Sequence, residues 1–94
     1  MSIKAARAKL DMAIKVWNKA MQATTKLNED SLLLHTLEYA AEVISELSAE
    51  NSASEALQEV VWSIANALSK PFSKRSTIHT RTSQYLLYAK EELG

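Results

Sequence analysis

The stretch Ser31–Leu47, SLLLHTLEYAAEVISEL, places the tightest constraint on what this chain can fold into. Leu33, Leu37, Ala40, Ala41, Ile44 and Leu47 recur at three- and four-residue steps, the spacing that lines one face of a helix. Glu38, Glu42 and Glu46 recur every four residues and form an acidic ridge beside that face. A helix with one apolar side must bury it against neighbours, and each flanking segment carries an apolar side of its own.

Only one glycine and one proline occur in 94 residues, and strand-type alternation is missing. The expectation is an all-α chain with helices over about 2–27, 31–48, 53–69 and 76–93. In the first, Ile3, Leu10, Trp17 and Thr24 sit seven apart, with Ala6, Ala13, Ala20 and Leu27 as the companion series. Asn28–Ser31 reads as a turn in which Asp30 or Ser31 caps the second helix. Ser52-Ala53-Ser54-Glu55 matches a capping box for the third. Pro71 disfavours helical geometry at the residue before it and ends that helix, and Phe72 is expected to plug the end of the core. The fourth helix turns Ile78, Thr82, Tyr85, Leu86, Ala89 and Leu93 inward. Four helices with short connections predict an antiparallel up-down-up-down four-helix bundle, one domain spanning 1–94.

Eleven basic and eleven acidic residues cancel, so no whole-molecule field draws the chain to nucleic acid or anionic lipid. The charges are nevertheless sorted. Residues 2–27 carry a net +5, residues 28–59 carry −8 with no Lys or Arg, and residues 60–81 carry +4. Two readings fit: basic and acidic helix flanks that pair inside the bundle, or an acidic face for a basic partner. The chain has no cysteine, hence no disulfide framework or thiolate site. Its opening MSIKAARAKLDMAIK lacks the apolar run of a signal peptide, and no stretch approaches the ~20 apolar residues of a membrane span. A cytoplasmic protein is expected.

Catalysis is not expected. The two histidines, His35 and His79, fall on different helices, no serine sits in a nucleophile elbow, and Gly94 alone cannot build a phosphate loop. A metal or other cofactor is not expected either: His35 and Glu38 lie one turn apart, but in the reverse order of a bundle metal motif and without a second copy. Lys70, Lys74, Arg75, His79 and Arg81 cluster around the start of helix four among hydroxyl residues, an arrangement able to grip phosphate. They define the nucleic-acid alternative. Trp62 falls off the Leu57–Val61–Ile64–Leu68 stripe, and Leu34, Leu87 and Tyr88 stand at stripe edges. Tryptophan and tyrosine are common interface anchors, so these residues point to a protein partner or a homodimer.

The segment ALSKPFSKRS followed by QYLLYAKEEL, a break with proline and basic residues before an apolar-basic last helix, resembles the immunity proteins of pediocin-like bacteriocin producers. The likeness is one of layout and covers most of residues 10–93. It implies a cytosolic, non-catalytic antiparallel four-helix bundle whose C-terminal part carries partner specificity, which points to Lys74, Arg75, Tyr85, Leu87 and Tyr88. Taken together, the sequence predicts a non-enzymatic helical bundle acting by protein–protein binding through Trp62 and the last helix, with nucleic-acid binding or a homo-oligomeric structural role as alternatives.

Overall fold

The computed structural model describes residues 3–94, and the expected helix start at residue 2 lies outside them. The chain is all-α. Helix α1 spans Ile3–Met21, α2 Lys26–Glu46, α3 Ser52–Leu68 and α4 Ser76–Leu93, with a single 3-10 turn at Phe72–Lys74 between α3 and α4. The helices pack side by side into a rod of 37 × 18 × 18 Å. α1 packs chiefly on α2 and α3 chiefly on α4, with α2 against α3 joining the two pairs.

The connection between α1 and α2 is not where the apolar spacing put it. α1 stops at Met21 rather than 27, and α2 begins at Lys26 rather than 31. Thr25 takes an extended conformation, and its hydroxyl accepts a hydrogen bond from the Asn28 amide at 3.2 Å, which caps α2 ahead of the expected turn at 28–31. Thr24 therefore lies in the connection, and Leu27, expected on the buried stripe, is 83% exposed. A cap correction applies to α3 as well. Asn51, not Ser52, is its N-cap, accepting from the Ala53 amide at 2.8 Å.

The core is rich in alanine. Ala6, Leu10, Ala13, Trp17 and Ala20 form the buried row of α1, and Ala53, Ala56, Leu57, Val60, Ile64 and Ala67 that of α3. Small side chains let the helix axes approach closely, and Trp17 fills the volume they leave. On α2 the buried row is Glu29, Leu33, Thr36, Ala40 and Val43, continued by Leu47 at the C-cap, and it is rotated slightly from the expected one. Leu37 and Ile44 become half-buried flanks, and Ala41 is exposed. Thr36 and Thr82 tolerate full burial because their hydroxyls donate to the carbonyls of Leu32 and Ile78 one turn earlier. Phe72 is half-buried in the 3-10 turn. Among the described residues, no helix is long and apolar enough to cross a membrane.

Candidate functional site

One end of the bundle holds a buried polar cluster. Arg75, at the start of α4, is 1% exposed and is among the largest fully buried side chains. Its Nη1 donates to Asp30 Oδ1 at 2.7 Å and to Glu29 Oε1 at 3.1 Å, while its Nε donates to the Lys70 carbonyl at 3.0 Å. His79 lies one turn further along α4, with Nε2 2.8 Å from the same Glu29 oxygen. Trp17 meets the His79 ring edge-on, with centroids 5.3 Å apart, and donates its indole N–H to Ser83 Oγ at 3.0 Å. α1, α2, α4 and the loop before α4 are thereby tied at one level.

Local sequence explains the placement. Stepping back from Leu93 through Ala89, Leu86 and Thr82 in threes and fours lands on His79 and then Arg75. The same walk back along α2 from Leu47 lands on Glu29. The two buried rows thus end in opposite charges. Asp30 is held below the usual carboxylate range: burial pushes it up, but hydrogen bonds from Lys26 and Arg75 outweigh that. Burial alone would lower the Arg75 guanidinium, and the carboxylates of Asp30 and Glu29 raise it instead, so it stays charged.

This geometry corrects two site assignments. Arg75 and His79 were expected at the surface for a partner or for phosphate, and both are turned inward, Arg75 completely. Of the basic patch, Lys70, Lys74 and Arg81 remain exposed. The Glu29–Asp30 pair that holds Arg75 falls where apolar spacing places a turn, because counting apolar residues alone overlooks a charged residue in register with the core.

The aromatic and leucine candidates do not converge. Tyr85 and Tyr88 line a groove between α3 and α4 together with Ser52, Glu55, Glu59 and Arg81. The Tyr88 hydroxyl sits beside the Glu92 carboxylate, which raises it above the usual phenol range. Leu87 lines a separate groove against Ile14 and Trp17 of α1. Trp62 is on a third face. It is 78% exposed and borders a shallow groove of about 210 Å³ with Ala41, Ile44, Gln58 and Val61, between α2 and α3. Leu34, seven residues before Ala41 on the same side of α2, is also exposed.

The charged helix flanks pair little. Lys9–Glu46 at 3.4 Å links α1 to α2, and Lys90–Asp11 at 3.8 Å links α4 to α1, both near the surface. Such pairs are worth roughly 0.2–1 kcal/mol each. Glu38, Glu42, Glu55 and Glu59 are exposed and have no ion-pair partner among the described residues. His35 is exposed beside Glu38 and Glu42. Among the described residues no group of three or more His, Cys, Asp or Glu is placed to hold a metal ion. Comparison with known proteins finds no family, no curated relative and no solved structure that matches this chain.

Proposed function

We propose that this chain is a small non-enzymatic protein of the cytoplasm that works by binding another protein, in the manner of an immunity protein, inhibitor or adaptor, through the face shared by α2 and α3. In this reading the scaffold is an antiparallel up-down-up-down bundle. Support comes from the ends that meet: Arg7 Nε donates to the Leu93 carbonyl, Lys9 pairs with Glu46, and Glu29 pairs with Arg75. Such a scaffold presents a groove between each pair of neighbouring helices.

The exposure of Trp62 carries the reading. Its indole is the largest apolar group left in water among the described residues, and it shares its groove with the exposed Ala41 and the half-buried Ile44 and Val61. Burying such a group at the centre of an interface is what makes tryptophan a frequent anchor of binding energy.

The test is affinity capture from a lysate of the source organism, after nuclease treatment, with the wild-type chain and with Trp62→Ala as baits. A stoichiometric protein retained by the first and lost by the second, with both baits melting at the same temperature, is the expected result. Capture that disappears with nuclease transfers the function to Lys70, Lys74 and Arg81. Equal capture by both baits removes Trp62 from the site.

A further inference from the structure

From Leu27 to Ser69 the chain contains no lysine or arginine and eight acidic residues. Three of these are neutralised within the fold, Glu29 and Asp30 by Arg75 and Glu46 by Lys9. Four of the others form two rows. Glu38 and Glu42 lie on the edge of α2 that turns towards α1, where they line a groove with Val16. Glu55 and Glu59 lie on the edge of α3 that turns towards α4, where they line the groove with Tyr85 and Tyr88; Arg81 of α4 stands across that groove without an ion pair to either, so two carboxylates face one cation there. Between the two rows runs the apolar strip of Ala41, Ile44, Val61 and Trp62. An apolar seam is thus bordered on both sides by unpaired carboxylates.

Resting on the protein-binding reading above, we infer that the α2/α3 face receives an amphipathic helix of a partner protein, with an apolar stripe for Trp62 and lysine or arginine on both flanks. Charge complementarity selects this occupant. Carboxylates of one sign on both borders repel each other and favour cations arriving from outside, which steers encounter and fixes orientation. The groove, at about 210 Å³, is smaller than the roughly 300 Å³ where small-molecule pockets begin, so it meets an extended surface rather than a compact ligand. A helix laid along a groove presents its apolar residues at three- and four-residue steps and its flanks on either side, which matches the seam and its two borders. A second copy of this chain does not supply that helix. Its basic segment is α1, and the apolar row of α1 (Ala6, Leu10, Ala13, Trp17) is already buried in its own core.

The test uses the full chain and three synthetic peptides of about 18 residues, long enough as helices to span α3. One places leucine at helical three- and four-residue spacing with lysine elsewhere. The second has the same composition with the stripe scrambled, and the third has glutamate in place of lysine. Binding is followed by the indole N–H resonances of Trp62 and Trp17 and by titration calorimetry at low and moderate salt. The striped lysine peptide is expected to shift the Trp62 resonance and not that of Trp17, and to bind at least tenfold more tightly than either control. Trp62→Ala is expected to weaken it at least tenfold, and the set Glu38→Gln, Glu42→Gln, Glu55→Gln, Glu59→Gln to weaken it and flatten its salt dependence. Equal binding of the scrambled peptide, or no shift at Trp62, overturns the inference. So does a dimer that dissociates on Trp62→Ala, because a second copy then covers the face. If the peptides fail while Trp62→Ala still abolishes lysate capture, the partner's chemistry has been misjudged and the protein-binding reading survives.

Discussion

Glu29 Oε1 lies 3.1 Å from Arg75 Nη1 and 2.8 Å from His79 Nε2, so one buried carboxylate oxygen joins the first turn of α2 to the first turn of α4. The residues are 46 and 50 positions apart in the chain. Sliding either helix by one turn would leave a guanidinium and a carboxylate in the core without partners, at several kcal/mol each. Arg75 Nη2 and His79 Nδ1 have no hydrogen-bond partner among the described residues, so the cluster is incompletely satisfied. Its main contribution is therefore alignment of α2 with α4 rather than net stability.

Removing one partner is far more costly than removing both. Arg75→Met should destabilise the fold by about 3–5 kcal/mol, because the Glu29 carboxylate stays buried against His79 alone. Adding Glu29→Gln to Arg75→Met should recover part of that loss, with a coupling energy of roughly 0.5–3 kcal/mol in a double-mutant cycle. Urea denaturation of the four proteins measures it, and strictly additive effects would show that the two side chains do not interact in solution.

Asp30 gives the cluster a pH dependence of definite sign. Its folded-state pKa lies below its model-compound value of 3.8 because Lys26 and Arg75 hold the ionised form. Its contribution is therefore complete above that value and is lost as pH falls through the lower, folded-state pKa. Asp30→Asn should lower stability near neutrality and flatten the acid limb of the stability curve below about 3.8. Chemical denaturation at a series of pH values reads both changes; an unchanged acid limb would mean that Asp30 is not paired in solution.

The existence of four helices was legible because apolar residues at three- and four-residue steps cover nearly the whole chain. Two features were not. The Ile3–Leu10–Trp17–Thr24 series keeps its seven-residue period through the break after Met21, and no glycine or proline marks that break. Only the Thr24–Thr25 pair signals it, through the capping preference of threonine. The buried cluster was hidden because Glu29, Arg75 and His79 sit in register with the core yet are polar, and polar residues are normally assigned to water. Trp62 was legible as an outlier, since it lies opposite the stripe of its own helix, but whether it shared a face with Leu87 and Tyr88 depended on helix packing that sequence spacing does not specify.

The cap positions can be tested directly. Thr25→Ala should cost about 1 kcal/mol by removing the acceptor for the Asn28 amide, and Asn51→Ala should cost a similar amount at α3. Ser31→Ala should be close to neutral, since Ser31 lies inside α2 on its exposed side. Thermal unfolding of the three variants distinguishes the alternatives. A loss at Ser31 larger than at Thr25 would return the helix start to the position that apolar spacing suggests.

The two tryptophans provide a contrast within one molecule. Trp17 is buried against His79 and donates to Ser83, whereas Trp62 stands in water on the α2/α3 face. Trp17→Phe forfeits a hydrogen bond and part of the core volume and should cost about 2 kcal/mol, or roughly 10 °C in melting temperature for a domain of this size. Trp62→Phe should change stability by less than about 0.5 kcal/mol, because nothing in the core depends on the ring. Fluorescence separates the sites independently of stability: the emission remaining in Trp17→Phe should be red-shifted and readily quenched by acrylamide, and that in Trp62→Phe blue-shifted and protected. A stability loss at Trp62 comparable to that at Trp17, together with protected emission, would place Trp62 in the core and remove the anchor on which the binding face depends.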